Sequence, residues 1–122
     1  MKYSDRALSA SEELAAQKAM CEAVIEEQEA VLRLLENKDF QRVIDKGFME
    51  ANVIRQADMA ADPNVSEEIQ RNCASGVLAS GHLKRYIHAI VIQGNTARNT
   101  LERVNEEINE LLEQPVDEEG AE

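Results

Sequence analysis

The carboxyl-terminal half of the chain carries the clearest pattern of apolar and polar positions. Alternating steps of four and three residues connect a series in which every member except the serine is apolar or small: Ile69, Cys73, Gly76, Ser80, Leu83, Ile87, Ile90, Gly94, Ala97, Leu101, Val104, Ile108 and Leu111. A repeat of this period over about six heptads is typical of a helix that packs along one face, as in a coiled coil. It predicts one long helix over about 66–113, and we call the series the seam.

The amino-terminal half predicts two shorter helices. Apolar residues at three- and four-residue steps indicate a first helix of about 25 residues, which begins after a cap at Ser9 or Ser11. Asn37 and its neighbours interrupt this helix, and Asp39 can cap the next one. Within the second helix, Gly47 is either a left-handed end or a glycine tolerated inside a longer helix.

A tight turn is predicted between the second helix and the long third one. Pro63 disfavours the helical region for Asp62, so the stretch 61–64 reads as a turn. Ser66, followed by two glutamates, is expected to cap the long helix. The chain should therefore consist of a loose segment 1–10, one helical domain 11–113 and an acidic, disordered tail 114–122.

These elements predict an all-α fold. Folding back at Pro63 would place Ile44 near Leu83 and Ile25 near Glu102, in an extended antiparallel helical hairpin. The alternative is a compact three-helix bundle. A two-helix layer buries little surface, so association of copies is expected. The apolar residues that lie off the seam favour it too: Leu32, Leu34, Val53, Leu78, Val91, Ile92 and Leu112.

The small residues of the seam need a separate explanation. Gly76, Ser80, Gly94 and Ala97 bury little surface, yet all lie on the inward stripe. They would allow a neighbouring backbone to approach closely, or leave room for a large side chain such as Phe40 or Phe48. A kink near 74–76 or 79–81 is the rival explanation.

Charge and composition exclude several classes of protein. The 122 residues include 24 acidic and 13 basic ones, a net charge of −11, and residues 99–122 hold nine acids against Arg103. Such a segment repels nucleic acid and anionic lipid and can steer a basic partner. No apolar run is long enough for a membrane span or a signal peptide. The sequence therefore predicts a cytosolic protein that binds neither nucleic acid nor membrane.

Candidate catalytic or metal-binding chemistry is sparse. His82 and His88 are six residues apart and face different sides of a helix, so they do not form a metal-binding pair. Cys21 and Cys73 stand alone in helical patterns and are interpreted as core residues. No phosphate-binding loop, nucleophile elbow or di-iron pattern is present. We therefore expect no enzymatic activity, no metal and no cofactor.

The candidate site is instead an interaction surface on the long helix. A basic cluster with one aromatic residue could form its polar rim, although such residues also make ordinary solvated faces. The downstream part of the seam would supply its apolar area. The predicted partner-binding residues are Lys84, Arg85, Tyr86, His88, Leu101, Val104, Ile108 and Leu111.

Several short segments resemble one family of proteins. They are Asp39-Phe40, Val43-Ile44, Gly47-Phe48, Ala61-Asp62-Pro63, Gly81-x-Leu83-x-Arg85-Tyr86 and Ile92-Gln93-Gly94-x-x-Ala97. Together they are similar to small, acidic, helical proteins of tailed bacteriophages, encoded in the structural and assembly gene region, over about 32–105. The resemblance implies a phage protein made in the bacterial host cytoplasm, and it transfers no catalytic residues.

Two functional hypotheses follow. The first is a non-enzymatic helical interaction protein that self-associates and binds phage structural proteins, either in the virion or during its assembly. The second is an acidic inhibitor that binds a basic host enzyme through the glutamate-rich end of the chain.

Overall fold

The computed structural model describes residues 5–113, with side chains from Ser9 onward. It contains helix α1 (Asp5–Glu36), the short α2 (Lys38–Phe40), a π-helical segment (Gln41–Ala51), α3 (Asn52–Ala60) and α4 (Glu67–Glu113). No strand occurs in this range, and the all-α class is confirmed. The acidic tail 114–122 and the first four residues of the loose segment 1–10 lie outside the described residues.

Helix α4 confirms the prediction of one long helix. It runs unbroken for 47 residues, with Glu67 and Glu68 in its first turn. The hydroxyl oxygen of Ser66 accepts a hydrogen bond from the backbone N–H of Ile69 at 3.2 Å, so Ser66 is the predicted cap. In the preceding turn, the carboxylate of Asp62 accepts from the N–H of Asn64 at 2.8 Å.

Helix α1 begins earlier than the sequence pattern predicts. Its first residue is Asp5, whereas the caps expected from the sequence are Ser9 and Ser11. The residues from Asp5 to Ala10 include no glycine or proline, so none of them strongly disfavours a helix. The helix therefore extends through both serines.

The break after α1 is organised by Asn37. Its backbone is extended, with ψ of 127°, and its side-chain oxygen accepts from the N–H of Phe40. The prediction that Asp39 caps this helix is wrong. Asp39 lies inside the first turn, where its exposed carboxylate is 3.6 Å from the guanidinium of Arg42.

The π-helical segment was not anticipated from the sequence. Its winding is visible at its end, where the N–H of Asn52 donates to the carbonyl of Gly47, five residues earlier. No glycine in the described range has a positive φ. The prediction that a helix ends at Gly47 in a left-handed conformation is therefore wrong. The alternative prediction, a glycine inside a longer helix, is confirmed.

The chain divides into two compact units. The first comprises residues 1–28 and 92–122. In it, α1 and α4 run antiparallel around a core of Cys21, Ile25 and Ala97, with Val24 and Leu101 packed against it. This agrees closely with the predicted placement of Ile25 near residue 102.

A buried glutamine organises the first unit. Gln28 is only 2% exposed. Its amide nitrogen donates to the side-chain oxygen of Asn95 at 2.9 Å, and its amide oxygen accepts from Arg98 Nε at 2.8 Å. A Cβ added at Gly94 would overlap the Cβ, Cγ and Cδ atoms of Gln28. Gly94 therefore leaves room for a glutamine, and not for the predicted Phe40 or Phe48.

In the second unit, residues 29–91, small residues of α4 make close contacts at two positions. The end of the Gln56 side chain occupies the space beside Gly76. Ser80 is 2% exposed, and its hydroxyl donates to the backbone carbonyl of Phe48 at 3.2 Å. Close approach of a neighbouring backbone is thus the reason for the small residue at position 80. The contacts also give the antiparallel sense that the sequence predicts.

Replacing Gly94 with alanine should destabilise the protein by about 1–3 kcal/mol, because the new methyl group overlaps Gln28 down to its Cβ. Urea unfolding followed by far-ultraviolet circular dichroism measures this. Gly81→Ala is the matched control, since a Cβ there meets only Arg85 at 3.7 Å. It should raise stability by up to about 1 kcal/mol. Equal midpoints for the two variants would contradict the close approach at Gly94.

Candidate interaction surface

An open apolar groove of about 360 Å³ lies in the second unit. The end of α1, the π-helical segment and α4 all contribute side chains to it. Its lining consists of Leu32, Leu35, Asp45, Met49, Lys84, Ile87, His88 and Val91, and we call it the apolar groove.

The groove forms because each helix presents an apolar edge beside its buried stripe. On α1, Leu32 and Leu35 both lie to the same side of the inward direction set by Val31, about 100° and 40° around the helix from it, and Val31 itself is 8% exposed. On α4, Ile87 and Val91 occupy the same edge, four residues apart, and both are half-buried. When two helices meet along a narrow line of contact, the apolar side chains beside that line stay partly open to solvent.

The rim of the groove is polar and partly cationic. Lys84 and His88 are both exposed and, being one turn apart, stand on one edge of α4. Asp45 is half-buried. A second depression of about 370 Å³, lined by Gln41, Asp45, Lys46, Met49, Glu50 and Lys84, shares three residues with the groove. An apolar floor with a charged rim is the arrangement that binds amphipathic helices.

The four polar residues predicted as one rim do not form a single surface. Lys84 and His88 line the apolar groove, but Arg85 and Tyr86 do not. Arg85 is 3.0 Å from the ring nitrogen Nδ1 of His82. Tyr86 is 61% exposed and, two residues after Lys84, points about 200° away around the helix. Neighbouring helix positions point about 100° apart, so residues 84–86 are spread around α4.

The four predicted apolar residues belong to the first unit. Val104 is completely buried by its own chain, so its side chain cannot contact a partner. Leu101 packs against the core of that unit. Ile108 and Leu111 are half-buried, which leaves part of each side chain accessible. The downstream seam thus serves mainly the interior of the first unit.

Much apolar surface elsewhere faces solvent. Within residues 9–113, six apolar side chains are buried, whereas ten large ones are exposed. Among the residues that lie off the seam, Val53 and Val91 are half-buried. The others are exposed: Leu32, Leu34, Leu78, Ile92 and Leu112.

Charge is distributed unequally between the two units. The sequence of the first unit holds 15 acidic and five basic residues, a net charge of −10. That of the second holds nine acidic and eight basic residues, a net charge of −1. The apolar groove therefore lies in the nearly neutral unit.

Metal-binding and nucleophilic side chains are scattered over the described range. No group of three or more histidine, cysteine, aspartate or glutamate side chains comes together there as a metal site would require. Cys21 is buried and Cys73 half-buried, both as free thiols. None of the helices between residues 5 and 113 has the length and hydropathy of a bilayer span.

Comparison with known protein families, characterised proteins and solved structures finds no match to this chain.

Proposed function

We propose that this protein is a non-enzymatic helical interaction protein of a tailed bacteriophage, which self-associates and serves as a virion component or an assembly factor. The observation that carries the proposal is the imbalance between buried and exposed apolar side chains. Exposed apolar patches, particularly those with a polar border, mark sites of protein association.

The apolar groove gives this association a defined location. Leu32, at 40% exposure, stands at its edge, and Lys84 and His88 provide a polar border. Burying such apolar side chains between chains would contribute about 25 cal/mol for each Å² removed from water. The phage assignment is supported by the sequence resemblance, whose segments lie in the first arm, the chain before the turn at Pro63, and in the second arm, α4.

Purified protein should form species larger than the 13.6 kDa chain at micromolar concentration, in proportions that rise with concentration. Exposed apolar side chains gain free energy when a second chain removes them from water. Sedimentation velocity over a dilution series measures this. A single species of 13.6 kDa at every concentration would contradict self-association.

Purified phage particles should contain the chain if it is a virion component, and only assembly intermediates should contain it if it acts earlier. Quantitative mass spectrometry of both preparations tests this, with a known capsid protein as the reference for copy number. Absence from particles and intermediates alike would contradict both roles.

A second candidate function is an acidic inhibitor of a basic host enzyme. Four carboxylates at three- and four-residue steps form one row on the surface of α4, and all are exposed: Glu102, Glu106, Glu110 and Glu113. A rigid row of like charges can steer and hold a cationic partner.

If the inhibitor hypothesis holds, the triple variant Glu102→Gln, Glu106→Gln and Glu110→Gln should bind the host enzyme at least tenfold more weakly. Each lost charge removes attraction to a basic surface without changing side-chain size. Affinity capture from host extract, followed by titration, measures the loss. The matched control is Glu36→Gln, Glu50→Gln and Glu68→Gln, three exposed residues of the second unit. Equal binding by both variants would argue against the row.

A further inference from the structure

The outward face of α1 in the first unit is a second unpartnered surface. Met20 lies midway along its length and is 70% exposed. Around it are three exposed alanines, and exposed glutamates stand at both ends. We call this set the acidic ridge: Glu12, Glu13, Ala16, Ala19, Met20, Ala23, Glu26 and Glu27.

The alanines of the ridge face away from the core of its unit, and Met20 lies on the edge of the ridge, about 100° around the helix from Cys21. Cys21 and Ile25, on the other side of α1, are buried against Ala97. From Glu13 to Glu27 the ridge extends about 21 Å, at 1.5 Å for each residue. The alanines leave the helix backbone accessible on either side of the methionine. A low ridge with one long, flexible apolar side chain suits insertion into a groove, because methionine adapts to irregular space.

The ridge and the apolar groove offer each other an apolar contact and opposite charges. The groove offers an apolar floor to Met20, and its rim carries the cationic Lys84. The ridge carries two glutamates at each end and belongs to the unit with a net charge of −10. Opposite charges at a rim favour encounter and fix orientation more than they add affinity. Asp45, in the same groove, disfavours glutamates directly above it and so restricts them to the Lys84 edge.

We propose that the apolar groove of one copy binds the acidic ridge of a second copy. This inference rests on the proposed self-association and names the two surfaces that carry it. The groove belongs to the second unit and the ridge to the first, so each contact joins unlike surfaces. Such heterologous contacts generate closed rings or open filaments, whereas a contact between identical surfaces stops at a dimer.

Two variants that each lose one surface test the proposal. The groove variant, Leu32→Glu with Lys84→Glu, makes the groove acidic at two partly or fully exposed positions. The ridge variant, Met20→Glu, places a charge where the apolar side chain inserts. Each variant alone should sediment as a 13.6 kDa monomer. An equimolar mixture should form a heterodimer of twice that mass, because each variant retains the surface that the other lacks.

The controls match the chemistry of the changes. Leu34→Glu with Lys38→Glu alters the same residue types at exposed positions outside the groove. Gln17→Glu adds one charge to an exposed position of α1 outside the ridge. Both should associate as the wild type does. Far-ultraviolet circular dichroism verifies that every variant remains helical.

Two other outcomes would overturn this pairing while leaving self-association intact. If the ridge variant alone still assembles, the groove binds another surface of the second copy. If the mixture stays monomeric although each variant is folded and the wild type assembles, the ridge and groove do not bind each other. A wild type that stays monomeric would instead overturn the proposed self-association itself.

Discussion

The insertion of Gln28 beside Gly94 determines how the first unit is built. No side chain at position 94 fits beneath the glutamine, so the two helices approach more closely than larger residues would allow. A buried amide without partners would cost about 1–3 kcal/mol. Asn95 and Arg98 supply those partners only when the helices are in the observed register. The polar contact therefore specifies an alignment that a uniformly apolar seam would leave ambiguous.

The same constraint explains why so much apolar surface remains open. Glycine, serine and alanine on the inward stripe of α4 bring the first arm close but contribute little area to the core. Large side chains such as Leu32 and Leu78 consequently lie beside the contact and stay exposed. Close packing within each unit and apolar flanks available for association thus have one cause, the small residues of α4.

The sequence was sufficient to predict α4, its cap and the preceding turn. A heptad repeat and a proline each restrict the local backbone strongly, whatever the rest of the chain does. The sequence assigned the cap to Asp39 instead of Asn37, since both side chains can cap a helix and only the backbone angles decide between them. Of the groove, it identified Lys84 and His88 from their clustered charge. Leu35 and Met49 depend on how the first arm meets α4, which no local pattern contains. The apolar residues Phe40, Ile44 and Phe48 recur every four residues, slightly more than one α-helical turn, and that spacing was the faint sequence signal of the π-helical segment.

The π-helical segment also adjusts the length of the first arm. A wider helix contains more residues per turn and is shorter for the same number of residues than an α-helix. The Phe48 carbonyl that accepts from Ser80 lies within this segment, whereas Gln56, which meets Gly76, lies beyond it in α3. The winding of the segment therefore sets the spacing along the chain between the Asn37 cap and these two contacts with α4.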